Sequence, residues 1–77
     1  RDDYSESDVE EKAANYIQNI IASTNLTEAS KAQLQQYLNS FDVAKFIKSY
    51  GPFTSTAEIS AAMYAVTSGM IKRQEDE

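Results

Sequence analysis

The sequence contains no cysteine, no histidine and no tryptophan. Without cysteine there is no disulfide to staple the fold and no thiolate for nucleophilic or metal chemistry. Without histidine there is no imidazole to ligate a metal or to move a proton near neutral pH. The two glycines, Gly51 and Gly69, stand far apart, so no glycine-rich loop can cradle a phosphate. Positive charge is scarce as well: seven Lys and Arg stand against twelve Asp and Glu, a net charge of −5. That balance argues against nucleic acid, whose phosphates call for clustered Lys and Arg, and against an anionic membrane surface. Nowhere do about eighteen apolar residues run together, so no membrane span is expected. The chain opens at Arg1 rather than Met and shows no signal-peptide pattern, as expected of a processed product or an excised domain.

What is present reads as helix. Seventy-seven residues make one domain. A chain of this size buries only about 60–65% of its unfolded surface, so it depends on good helix packing or on a partner. The acidic ends, 1–6 and 74–77, are expected to be disordered tails around a domain at 7–73. Ser7 and Glu10 form a capping box, which predicts a first helix starting there with Asp8 and Glu11 in its first turn. Val9, Ala13, Tyr16, Ile17, Ile20 and Ile21 then make one apolar stripe, and Ser23, Thr24 and Asn25 form the connection. Thr27 is a good cap for a second helix, just after Leu26, with Ser30, Leu34, Tyr37, Leu38 and Phe41 on one face.

A short third helix follows. Asp42 caps it, and Phe41 is placed to pack on Phe46 as a hydrophobic staple. Val43, Phe46, Ile47 and Tyr50 are its predicted buried face. Gly51 suits a left-handed stop, and Pro52 prevents continuation. The stretch 53–73 is the best-marked helix. In its capping box the Ser55 hydroxyl takes the Glu58 amide proton, and the Glu58 carboxylate is expected to reach back to the Ser55 N–H. Ile59, Ala62, Met63, Val66 and Met70 line one face, and Lys72 and Arg73 sit in the closing turn, where cations suit the helix dipole. The other apolar stripes are predicted to pack on this last helix. No segment alternates with the period of a strand. The expected fold is therefore all-α: a small four-helix bundle of three longer helices and one short one, with antiparallel neighbours and no sheet.

Reactive machinery is sparse. The acids gather at Asp2, Asp3, Glu6, Asp8, Glu10 and Glu11 and at 75–77, in segments expected to be exposed, and not as an apolar-walled pair fit for acid–base work. Their spacing is not that of a calcium loop either. No catalytic residue, metal site or cofactor is expected, and the chain does not read as an enzyme. Asn25-Leu26-Thr27 is a formal glycosylation sequon, though Thr27 is already explained as a helix cap. Small acidic helical domains include the acyl carrier proteins, but Ser30 in Ala-Ser-Lys and Ser40 in Asn-Ser-Phe lack the Asp-Ser-Leu attachment motif.

Surface is what remains. The last helix has a second face of Ala57, Ala61, Tyr64, Ala65 and Ser68. The simpler reading buries that face too, with the helix central between the first two. The alternative turns it outward as an association face, since small side chains admit a neighbouring helix and a Tyr anchors it. Phe41, Phe46, Tyr50 and Phe53 around the short helix are most simply core, or else they wall a groove for a peptide or lipid.

Two segments, 12–38 (KAANYIQNIIASTNLTEASKAQLQQYL) and 55–70 (STAEISAAMYAVTSGM), resemble helices of the non-repetitive domains of spider silk proteins, the spidroins. The first looks like their helix–polar turn–helix units and the second like their Ser/Ala-rich helices. The resemblance implies a helical module that keeps a fibre-forming protein soluble and governs its assembly. The functional expectation is a non-enzymatic module for association with a protein partner, itself or another chain, with no nucleic acid and no membrane.

Overall fold

The computed structural model describes residues 3–23 and 25–72. Among these residues, four polar side chains start four helices. Ser5, Thr27, Asp42 and Ser55 each have an extended backbone and accept the N–H three residues on, from Asp8, Ser30, Lys45 and Glu58, each at 3.2 Å. Such caps satisfy amides that have no partner inside the helix. They open α1 (Glu6–Ile21), α2 (Glu28–Asn39), α3 (Val43–Tyr50) and α4 (Thr56–Thr67), and α4 runs on into a 3-10 turn at Ser68–Met70. No strand occurs among the described residues, so the small all-α bundle read from the sequence is the observed fold.

Several ends differ from expectation. The cap of α1 is Ser5 and not Ser7, which lies inside the first turn with its hydroxyl 3.2 Å from that of Ser5. Just before the cap, the Tyr4 N–H donates to the Phe53 carbonyl at 2.8 Å, and the Tyr4 hydroxyl lies 3.2 Å from Thr56 Oγ1. The chain is therefore docked from Tyr4 onward, inside the segment expected to be a disordered tail. The other expected tail, 74–77, lies outside the described residues, as do Arg1, Asp2 and Thr24. At the start of α4 the Glu58 carboxylate bonds the Thr54 N–H at 2.7 Å and the Thr54 hydroxyl at 3.3 Å, one residue before the expected Ser55 N–H.

The end of α4 also moves. Thr67, fully buried, donates its hydroxyl to the Met63 carbonyl at 2.7 Å, a back-bond that competes with regular helix. The chain then leaves the helix, with Ile71 extended. Lys72 closes no helical turn. Its N–H donates to Ser30 Oγ at 2.9 Å and its carbonyl accepts the Thr27 N–H at 3.0 Å, which ties the segment after α4 across the start of α2. Arg73 falls outside the described residues.

The core consists of Val9, Ala13, Ile17, Leu26, Leu34, Phe46, Phe53, Ile59, Ala62 and Met63. Its centre is α1, against which α2, α3 and α4 all pack. That corrects the expectation that the other helices gather on the last one. Val9, Ala13 and Ile17 repeat at four-residue steps and are wholly buried, while Tyr16, Ile20 and Ile21 widen the apolar surface beside them. Sixteen residues give α1 a length of about 24 Å, enough to serve all three partners. No buried side-chain nitrogen or oxygen among the described residues lacks a hydrogen bond.

Gly51 has φ −86° and ψ −168°, not the left-handed stop expected. Its glycine is needed for another reason. The Gly51 N–H donates to the Ile47 carbonyl at 2.7 Å, and a Cβ there would sit 2.8 Å from that oxygen and 3.0 Å from Ile47 Cγ2. A Cβ on Gly69 meets nothing within 4 Å. Gly51→Ala is therefore expected to lower the unfolding free energy by more than about 1 kcal/mol, whereas Gly69→Ala leaves it unchanged or raises it by about 0.5 kcal/mol. Urea unfolding of the two variants checks this; equal effects contradict it.

Candidate functional site

Because α2 and α4 each lean on α1, their bodies barely meet, and only the 3-10 turn closes onto α2. A solvent-open groove of about 500 Å³ is left beside α3. Tyr37 from α2, Phe41 from the connection and Phe46 and Tyr50 from α3 supply its aromatic wall, and Val66 of α4 joins the lining. The rings form a continuous series: Tyr37 to Phe41 at 5.6 Å, Phe41 to Phe46 at 5.4 Å and Phe46 to Tyr50 at 5.4 Å between centroids. These separations fall in the range where aromatic pairs attract beyond simple burial. Polar groups border the wall, with Ser40, Asp42, Lys45 and Ser49 among the lining residues.

Three of the four expected groove residues, Phe41, Phe46 and Tyr50, do line this space. Phe53 does not. It is buried behind the wall and stacks on Phe46 at 5.3 Å with an interplanar angle of 26°. Tyr50 is no part of the core as expected for α3: it is 48% exposed, and Phe46 is the one side chain of α3 that is fully inside. The sequence reading missed Tyr37 and Val66 as groove residues. Tyr37 stands four residues before Phe41, the spacing of one helix face, but a groove between helices also requires knowing which helices fail to meet.

The second surface is the outer face of α4. Ala57, Ala61, Tyr64, Ala65 and Ser68 are all exposed, with Tyr64 at 65%. The simpler expectation, that this face is buried in a central helix, is thus corrected. The helix packs on α1 and stands at the side of the bundle, so only Ile59, Ala62, Met63 and Thr67 are inside. Val66 and Met70 are half-buried. Not one charged residue stands between Glu58 and Lys72.

Elsewhere the polar groups serve structure. Ser30 is 3% exposed; its hydroxyl accepts from Thr27 Oγ1 at 3.1 Å and from the Lys72 N–H, so it offers no attachment point. Thr27 of the sequon is committed to that same cap, while Asn25 is exposed beside it. The exposed Ser40 donates its hydroxyl to the Gln36 carbonyl at 3.0 Å. Among the described residues no group of three or more Asp or Glu is placed to hold a metal ion, and no helix is long and apolar enough to cross a membrane. Compared with known protein families, with characterised proteins and with solved structures, the chain matches none.

Tyr37 is the titratable group in the groove with a clear perturbation. Burial pushes its phenol above the ordinary value of 10.0, and the neighbouring Tyr50 pushes it further the same way. The folded state thus holds the Tyr37 proton more tightly than the unfolded chain. Its contribution to stability is complete below the unfolded value and is lost as pH rises past 10.0 toward the folded one. Unfolding free energy is expected to fall above that pH in the wild type and to fall less in Tyr37→Phe, as measured by urea titration at stepped pH. Parallel curves for the two proteins contradict this.

Proposed function

We propose that this domain is a non-enzymatic helical module whose task is protein association, with a second copy of itself as the first partner to consider. The observation that carries the reading is the outer face of α4. A helix packed on one side only would ordinarily turn charged residues to water. Here the water side is Ala57, Ala61, Ala65, Ser68 and an exposed Tyr64, with no charge from 59 to 71. Small residues allow close approach of another helix, and a tyrosine brings large area with a polar tip. The net charge of −5 elsewhere opposes casual contact, which leaves this uncharged strip as the face where meeting costs least.

The likeness of 12–38 and 55–70 to helices of silk proteins supports placing such a module in a larger structural chain, where it would govern assembly. A second reading is favoured by the aromatic groove, whose apolar wall and polar border suit a small peptide or lipid.

Sedimentation equilibrium over a wide concentration range tests the association reading. The apparent mass of the wild type is expected to rise with concentration and with ionic strength, as salt screens the acidic surface. Ala61→Glu, which places a carboxylate in the middle of the strip, should remain monomeric without loss of fold. A wild type that stays monomeric at the highest soluble concentration refutes the reading.

A further inference from the structure

We propose that the aromatic groove beside α3 binds an amphipathic monocarboxylate of the fatty-acid type, its alkyl chain on the rings and its carboxylate on Lys45 and Ser49. This rests on the second reading above and names the class of ligand. The polar edge of the groove selects it. Beside the two tyrosines, four polar side chains belong to the lining: Ser40, Asp42, Lys45 and Ser49. Two of them are committed to the protein's own backbone. Ser40 donates its hydroxyl to the Gln36 carbonyl at 3.0 Å, and Asp42 Oδ1 accepts the Lys45 N–H at 3.2 Å as the cap of α3. The Lys45 ammonium and the Ser49 hydroxyl have no hydrogen-bond or ion-pair partner among the described residues. They stand four residues apart on α3, the spacing of one helix face. A carboxylate can accept from both at once, and bonds of that kind to a charged group are stronger than neutral ones.

The surrounding charge points the same way. Between Glu28 and Glu58 the one acid is Asp42, against Lys31, Lys45 and Lys48. Lys31 is already held by Glu28 at 3.4 Å, which leaves the two lysines of α3. On a chain of net charge −5, this is the stretch where an anion meets least repulsion. Acids more than about 10 Å away are largely screened at 0.1 M salt, whereas a base in the lining acts at contact.

The apolar wall suits an alkyl chain. Tyr37, Phe41, Phe46 and Tyr50 follow one another at 5.4–5.6 Å between centroids, more wall than a single small ring covers. Tyr50 leaves 48% of its surface in water, so a chain laid along it removes apolar surface from solvent on both partners. The volume of about 500 Å³ falls within the roughly 300–1,000 Å³ of small-ligand sites. Because the groove is open to solvent, binding is expected to be weak and fast in exchange.

Amide-shift titration reads where each probe binds and how tightly. Decanoate, kept below its micelle concentration, is expected to move the amides of Phe46, Ser49 and Tyr50 saturably and to bind about fivefold more tightly than decanol. Lys45→Met keeps the aliphatic stem and removes the charge, so it should lose that fivefold for decanoate and leave decanol unchanged. Lys48→Met, outside the groove lining, should change neither. Both lysines are exposed, and circular dichroism verifies each fold. If decanol binds the groove as tightly as decanoate, or Lys45→Met holds decanoate like the wild type, the carboxylate is wrong and the groove reading stands. An equal loss in Lys48→Met likewise overturns the seat at Lys45. Tighter binding of decyltrimethylammonium than of decanoate does the same, in favour of a cation on the rings. Shifts confined to residues 57–68, or none that saturate, remove the groove reading as well.

Discussion

One line of side chains, Val9, Ala13 and Ile17 on α1, holds the domain together. All three are wholly buried, and every other helix packs on the helix that carries them. Burying a Val or Ile side chain stabilises a fold by about 1.5–3 kcal/mol, while the whole domain has only about 5–15 kcal/mol of stability. The small Ala13 in the middle matters for a different reason. It is wholly buried, so a longer side chain there would have to displace its neighbours in the core. With no disulfide available, nothing covalent replaces these contacts if they are lost.

Making α1 the common partner has consequences for the surface. A helix that serves three neighbours leaves those neighbours little reason to meet one another. On one side the segment after α4 is stitched to the start of α2 through the Ser30 hydroxyl and the backbone groups of Lys72 and Thr27. Away from that stitch the bodies of α2 and α4 hardly meet, and the aromatic rings of α2 and α3 line the groove left there. On the other side α4 covers α1 with Ile59, Ala62 and Met63 and turns Ala57, Ala61, Tyr64 and Ala65 to water. Both surfaces on which function is proposed thus follow from the same packing decision.

Much of this was legible beforehand. Thr27, Asp42 and Ser55 announce their helices because a short polar side chain reaching the third amide is a local event, settled within four residues. The first cap was ambiguous for the same local reason. Ser5 and Ser7 both have an acid three residues on, and what selects Ser5 is the docking of Tyr4 on Phe53, a contact between distant parts of the chain. The end of α4 was hidden likewise, since nothing local says that Thr67 is buried or that Lys72 is drawn to Ser30. The last helix is the most apolar stretch because its exposed face is apolar too, and amount of apolar surface does not make a helix central. Phe41, Phe46 and Tyr50 lie close together in the sequence and line one groove, whereas Val66 joins them only through the packing of α4.

The account stands on α1 being the element to which everything else is attached. Native-state hydrogen exchange reads this directly, because amides in the most connected element open only when the whole domain unfolds. The amides from Ala13 to Ile17 are expected to exchange slowest, at the rate of global unfolding, with those of α4 opening earlier. Amides of α4 that outlast those of α1 would contradict the packing described and, with it, the origin of both exposed surfaces.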